Sequence, residues 1–267
     1  MPEQSLKSKT AKGLFWGGLS NGLQQVLGMV FGIFLARVLS VDDYGLVGML
    51  AIFTAIGNSI IESGFTAALT NKSGFRHEDY NAVFWFNLIA GVVLYVLLFF
   101  AAPWIACFFG RPELVALARV LFLVFVIGAF STAHNAVLFK RMMVKERAKI
   151  DLLALVLSGS VGVGLALTGH GYWALAWQTV CFSAAGMALR WYFSPWRPTF
   201  RFDFRPAREM FGFSANLLLT NLFNYANANL FSVLLGKFYN AVEVGYYTQG
   251  NKWMSMGNSA IMGMING

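Results

Sequence analysis

The chain has 267 residues, of which 57% are hydrophobic, 12% are charged and 26 are phenylalanines. That is about half the charge of an ordinary soluble domain, too little polar surface to cover a core of this size. A net charge of +8 could suggest nucleic acid, but the basic residues sit at the ends of apolar runs, as orientation signals do.

Apolar runs of about twenty residues or more, without the alternation of barrel strands, predict an all-α, polytopic transmembrane helical bundle. The opening "MPEQSLKSKTAKGLFWGG" is basic like a signal peptide. The run over 13–36 is too long for a signal core, however, so it predicts a retained first helix. Gly18, Asn21, Gln25, Gly28 and Gly32 share one face of it. A polar break, "LARVLSVDDYG" at 35–45, leads into a second span over 45–70, where Thr54, Asn58 and Glu62 lie nearly in line. Spans follow over 81–109 (Pro103 is an expected kink), 114–138, 150–169 and 173–194. The fourth holds Arg119, expected to snorkel or pair with an acidic loop residue, and His134 with Asn135, expected at the cytoplasmic interface. A seventh span over 209–236 is rich in amides: Asn216, Asn221, Asn224, Asn227 and Asn229, with Tyr225 between them. The eighth, from 246 onward, contains Lys252.

With the N-terminus inside, the cytoplasmic segments hold Lys7, Lys9, Lys12, Lys72, Arg76, Lys140, Arg141, Lys145, Arg147, Lys149, Arg190, Arg197, Arg201, Arg205 and Arg208. The outer turns hold Arg37, Arg111 and Lys237. Fifteen against three predicts a cytoplasmic N-terminus.

The polar break recurs. "LLGKFYNAVEVG" at 234–245 lies 200 positions after the first, and the same shift pairs Asn21 with Asn221, Phe31 with Phe231 and Gly45 with Gly245. It also superimposes "GNS" at 57–59 on "GNS" at 257–259. Six predicted helices separate the copies, so both cross in the same direction. A parallel repeat about the membrane normal is the expectation. It divides the chain into a six-helix lobe over 1–208 and the start of a second, truncated lobe over 209–267.

The series "LARVLSVDDYGL", "ESGFTAALTNKSGFRHEDYNAVFWFNL", "FFGRPELVALARVL", "GYWALAWQ" and "SPWRPTFRFD" resembles the Wzx-type lipopolysaccharide and polysaccharide flippases. These belong to the multidrug/oligosaccharidyl-lipid/polysaccharide exporter superfamily. The resemblance implies a MATE-like two-lobe transporter of the bacterial inner membrane. Its substrate would be an undecaprenyl-diphosphate-linked oligosaccharide, moved from the cytoplasmic to the periplasmic leaflet, with other polysaccharide-assembly membrane proteins as partners. Where the family's seventh helix often carries a basic and an acidic residue, this chain has Ala228 and Phe231.

Asn21, Gln25, Asn58, Glu62, Asn221, Tyr225 and Lys252 are the candidate cavity residues. For the amides, two readings stand side by side: close helix packing, or a polar wall on a hydrated cavity between lobes. Glu62 is either a coupling carboxylate or a hydrogen-bonded structural one, and Lys252 either holds a diphosphate or snorkels. No P-loop or HExxH pattern occurs, and no catalytic residue, metal or cofactor is expected. Cys107 and Cys181 both lie in apolar runs, which argues against a disulfide. Two rival functions remain: a multidrug or cation antiporter of the same superfamily, and a membrane glycan polymerase or ligase. The polymerase or ligase needs a large outer catalytic loop, and the predicted outer turns are short.

Overall fold

A computed structural model describes residues 3–62, 77–200 and 205–265; side chains of 3–17, 205–218 and 259–265, with those of Leu19 and Glu62, lie outside that description. Ten helices are described: α1 (Glu3–Val38), α2 (Val41–Met49), α3 (Ala51–Glu62), α4 (His77–Phe109) and α5 (Glu113–Leu121). They continue as α6 (Leu123–Lys140), α7 (Val144–Leu167), α8 (Tyr172–Phe193), α9 (Arg205–Phe238) and α10 (Ala241–Ile265).

The polar breaks are helix starts. Ser40 accepts the Asp43 backbone N–H at 3.2 Å while the Asp43 carboxylate accepts the Ser40 N–H at 2.9 Å, a reciprocal capping box for α2. Two hundred residues on, the Asn240 side chain accepts the Glu243 N–H at 3.0 Å and starts α10. At the other ends, Gly110 closes α4 and Gly169 closes α7, both at positive φ, which lets the next residue bond back five positions.

The expected second and fourth spans are each broken once. α2 and α3 meet at Leu50 with a bend of 43°, and α5 meets α6 at Phe122. Neither break has a proline or glycine at its joint. At Leu50 the N–H turns to Val47 O, and the Thr54 hydroxyl donates to Ala51 O at 2.9 Å. Pro103, the expected kink, lies within α4, which continues through it.

Phe122 and Phe125 stack 5.5 Å apart at the centre of the main core, among Leu46, Met49, Leu50, Leu117 and Leu121. Glycines admit the rings: at Gly57 a Cβ would overlap the Phe125 ring, and at Gly159 it would lie about as close to Phe31. In lipid such packing, rather than burial from water, holds helices together.

Four helical stretches are long and apolar enough to cross a membrane: Ser20–Val38, His77–Phe109, Glu113–Lys140 and Val144–Leu167. The bent pair α2–α3 makes a fifth. Trp104 and Phe100 stand open on α4, as side chains against hydrocarbon do. α8, α9 and α10 are as long as a span but more polar than the eight-span reading assumes. The molecule is a multi-pass helical membrane protein.

Candidate functional site

α1 is sandwiched. One side seats Phe31 on Gly159 of α7. The other presents Gly28 and Gly32 to α10, whose Met256 Cε lies 3.9 Å from where a Gly28 Cβ would be. Lys252 Nζ and Trp253 lie 3.7 and 3.8 Å from the same position at Gly32. Further towards the start of α1, at Gly22 and Gly18, no described atom comes within 4 Å of that position. The described contact between the two helices thus runs from Gly32 to Gly28.

α2 and α10 cross so closely that a Cβ on Gly45 would overlap the Ala241 carbonyl, and one on Gly245 the Val41 carbonyl. These contacts are reciprocal: residues 41 and 241, and 45 and 245, exchange roles. Gly48 continues the seam, its Cβ position 2.7 Å from Thr248 Cγ2. Nearby, Lys237 of α9 donates to the Phe108 carbonyl at 2.8 Å and sits over the Phe108 ring. Arg111 grips Asp42 with two bonds of 2.8 and 3.0 Å and reaches Glu113 at 3.4 Å. The Asp42 hydrogen bond raises the Arg111 pKa above its ordinary value, so this clamp keeps its positive charge.

The sequence candidates fall into two groups. Asn21 (exposed) and Gln25 (half-buried) lie on α1 on the N-terminal side of Gly28, and Lys252 of α10 stands beside Gly32. Asn221 (half-buried) and Tyr225 (exposed) lie on α9, which packs along α3, where Asn58 is exposed. No hydrogen bond or ion pair among the described residues joins the groups. Glu62 ends α3, and its side chain lies outside the described residues, as do the loop residues Lys72 and Arg76 and the Asn216 side chain.

Two expectations need correction. Arg119 does not reach Glu113: its guanidinium lies 4.3 Å from the Phe99 ring centre and bonds the Phe99 carbonyl, so an aromatic face replaces the acidic partner. His134 is not interfacial but fully buried, between α4, α8 and the segment 194–200. Sequence reasoning also missed that segment's docking. The Thr199 N–H donates to Asn81 Oδ1 at 2.8 Å, and Trp85 Nε1 donates to the Thr199 carbonyl at 2.9 Å. The prolines and aromatics of "SPWRPTF" were its signal, since a rigid aromatic-bearing segment is suited to lie on a surface.

Comparison with known proteins assigns the chain. A family model described as polysaccharide biosynthesis protein matches residues 34–267. The chain belongs to that family. Among curated relatives it is 29% identical over 246 residues to the teichuronic acid biosynthesis protein TuaB of Bacillus subtilis (strain 168), covering 91% of this chain and 51% of the relative. It is 24% identical to the succinoglycan biosynthesis transport protein ExoT of Rhizobium meliloti (strain 1021), covering 87% and 47%. It is 23% identical to the lipopolysaccharide biosynthesis protein WzxC of Escherichia coli (strain K12), covering 91% and 50%. The chain thus spans about half the length of these relatives. A solved inward-facing multidrug resistance MATE family transporter of the MOP superfamily shares the fold, with a TM-score of 0.64 at 19% identity. That alignment covers 90% of this chain and 60% of the transporter.

Proposed function

We propose that this chain supplies residues 1–208 as the first lobe, and 209–267 as the start of the second, of a flippase. The flippase moves an undecaprenyl-diphosphate-linked oligosaccharide from the cytoplasmic to the periplasmic leaflet of the bacterial inner membrane. The observation that carries the reading is Lys252 of α10 beside Gly32 of α1, with Asn21 and Gln25 further along α1; the proposed cleft runs from there towards the α1 N-terminus, away from the close α2–α10 crossing. The same arrangement on α9 adds Asn221 and Tyr225, with Asn58 opposite on α3. Amides offer donors and acceptors to sugar hydroxyls without a charge cost, whereas a diphosphate calls for a cation. Among the described residues Lys252 has no ion-pair partner, and it stands where a headgroup entering the cleft would arrive. The prenyl tail stays in lipid alongside. With the N-terminus cytoplasmic, the cleft opens to the leaflet where such substrates begin. Support from the family is direct for polysaccharide biosynthesis and comes from the relatives for transport.

The test uses the full-length protein in a strain lacking its own flippase. Lys252→Ala lowers restored surface glycan about tenfold, the worth of one charge-assisted hydrogen bond. Lys252→Arg retains most of it. Mass spectrometry of the purified protein finds a lipid-linked glycan with wild type and much less with Lys252→Ala. Equal glycan with both proteins, or export of cationic dyes instead, rejects the reading.

A further inference from the structure

His134 is fully buried, and neither ring nitrogen has a hydrogen-bond partner. Its ring lies 4.5 Å from that of Trp191, 5.2 Å from Trp196 and 6.4 Å from Phe84, measured between centres. Trp191 is held in place by its own bond to the Phe130 carbonyl at 2.9 Å. Two further buried groups there lack partners: the Trp196 indole N–H and the whole amide of Asn87, one turn from Phe84 on α4. An unpaired buried polar group is costly and is seldom retained without a reason. Two indoles flank the ring, Trp191 tilted at 46° to it and Trp196 nearer edge-on at 66°.

We propose that His134 is a proton-binding site whose occupancy controls the docking of segment 194–200, the connector between α8 and α9. In the closed box no described protein group bonds either ring nitrogen, so a charge placed there would be unpaired. Proton uptake belongs to an arrangement in which Trp196 has moved and water reaches the ring. Trp196 is part of the connector and also lies 5.6 Å from His77 and 6.2 Å from Tyr80, ring to ring. Its displacement loosens the Thr199 bonds to Asn81 and Trp85 three residues further on. A proton at His134 is thereby felt by the segment that leads into α9. The described charged and titratable groups around the box are as follows. α4 contributes His77, Glu78, Asp79 and Tyr80, and α6 contributes Lys140 and Arg141. From α8 comes Arg190, held by Asp151 of α7 at 3.3 Å; from the connector comes Arg197, which bonds the Ser194 and Trp196 carbonyls. Arg197 disfavours a second positive charge nearby, which makes protonation and connector release a single event. This inference concerns how the protein moves and stands apart from the identity of the cargo.

The experiment follows amide exchange in the full-length protein in nanodiscs, between about pH 8 and about pH 4, a window that brackets an ordinary imidazole. After correction for intrinsic rates, residues 194–200 lose protection on acidification in wild type and in His77→Asn, but not in His134→Gln. Histidine-selective NMR, assigned with His77→Asn and His170→Asn, provides a readout that does not depend on His134→Gln folding. In wild type the His134 ring titrates over the range in which the connector loosens. A ring that stays neutral throughout, bridged by water, overturns the proposal. So does a connector whose exchange follows pH equally in wild type and His134→Gln.

Discussion

A methyl group added at Gly45 would overlap the Ala241 carbonyl, and the backbone it meets cannot swing aside as a long side chain can. Gly45→Ala is therefore expected to cost about 1–3 kcal/mol or to force α2 and α10 apart at the outer seam. Gly164 on α7 has nothing within 4 Å of its Cβ position, so Gly164→Ala is neutral or slightly stabilising through helix propensity. Thermal unfolding of the two variants in detergent checks the contrast; equal melting temperatures would refute the close crossing. The Ser40 cap is a smaller effect of the same kind. Ser40→Ala leaves the Asp43 N–H without its acceptor and costs about 1 kcal/mol.

At the scale of elements, the sequence carried some joints and hid others. The polar breaks at 35–45 and 234–245 were legible because caps need oxygen-bearing side chains at fixed offsets, and Ser40 with Asp43 and Asn240 with Glu243 supply them. The breaks at Leu50 and Phe122 were not. Both residues are apolar and buried, with no proline, glycine or capping side chain at the joint to mark a break in the sequence. The repeat paired Gly45 with Gly245, yet alignment alone does not say that each touches the other copy. His134 was misplaced because a histidine near a helix end usually reaches water, whereas Phe84, Trp191 and the docked connector cover this one. That docking has its own test. Asn81→Ala removes the acceptor of the Thr199 N–H, so amide exchange at Thr199 should accelerate by about tenfold or more while α4 keeps its protection. An unchanged rate at Thr199 means that the connector is held without this bond.

Orientation decides what the whole molecule can do. The basic residues of the α6–α7 turn, including Lys145 and Lys149, are expected on the same side as the α1 N-terminus, with Lys237 and Tyr239 on the other. The reversed topology would carry fifteen cations outward instead of three, so the charge bias predicts a cytoplasmic N-terminus. The consequence reaches the cleft. If the N-terminus is cytoplasmic, the opening between α1 and α10 faces the compartment where nucleotide-activated sugars are built onto lipid. If reversed, the same opening faces away from any such donor and the proposed direction of transport fails. Single cysteines at Lys149 and Tyr239, in a background with Cys107 and Cys181 replaced, separate the cases. Tyr239 is exposed just past the C-terminal end of α9, and Lys149 is exposed in the early turns of α7. An impermeant thiol reagent added to intact cells should label Tyr239→Cys, and label Lys149→Cys only after the membrane is opened. Labelling in the opposite order would invert the topology and, with it, the leaflet to which this cleft opens.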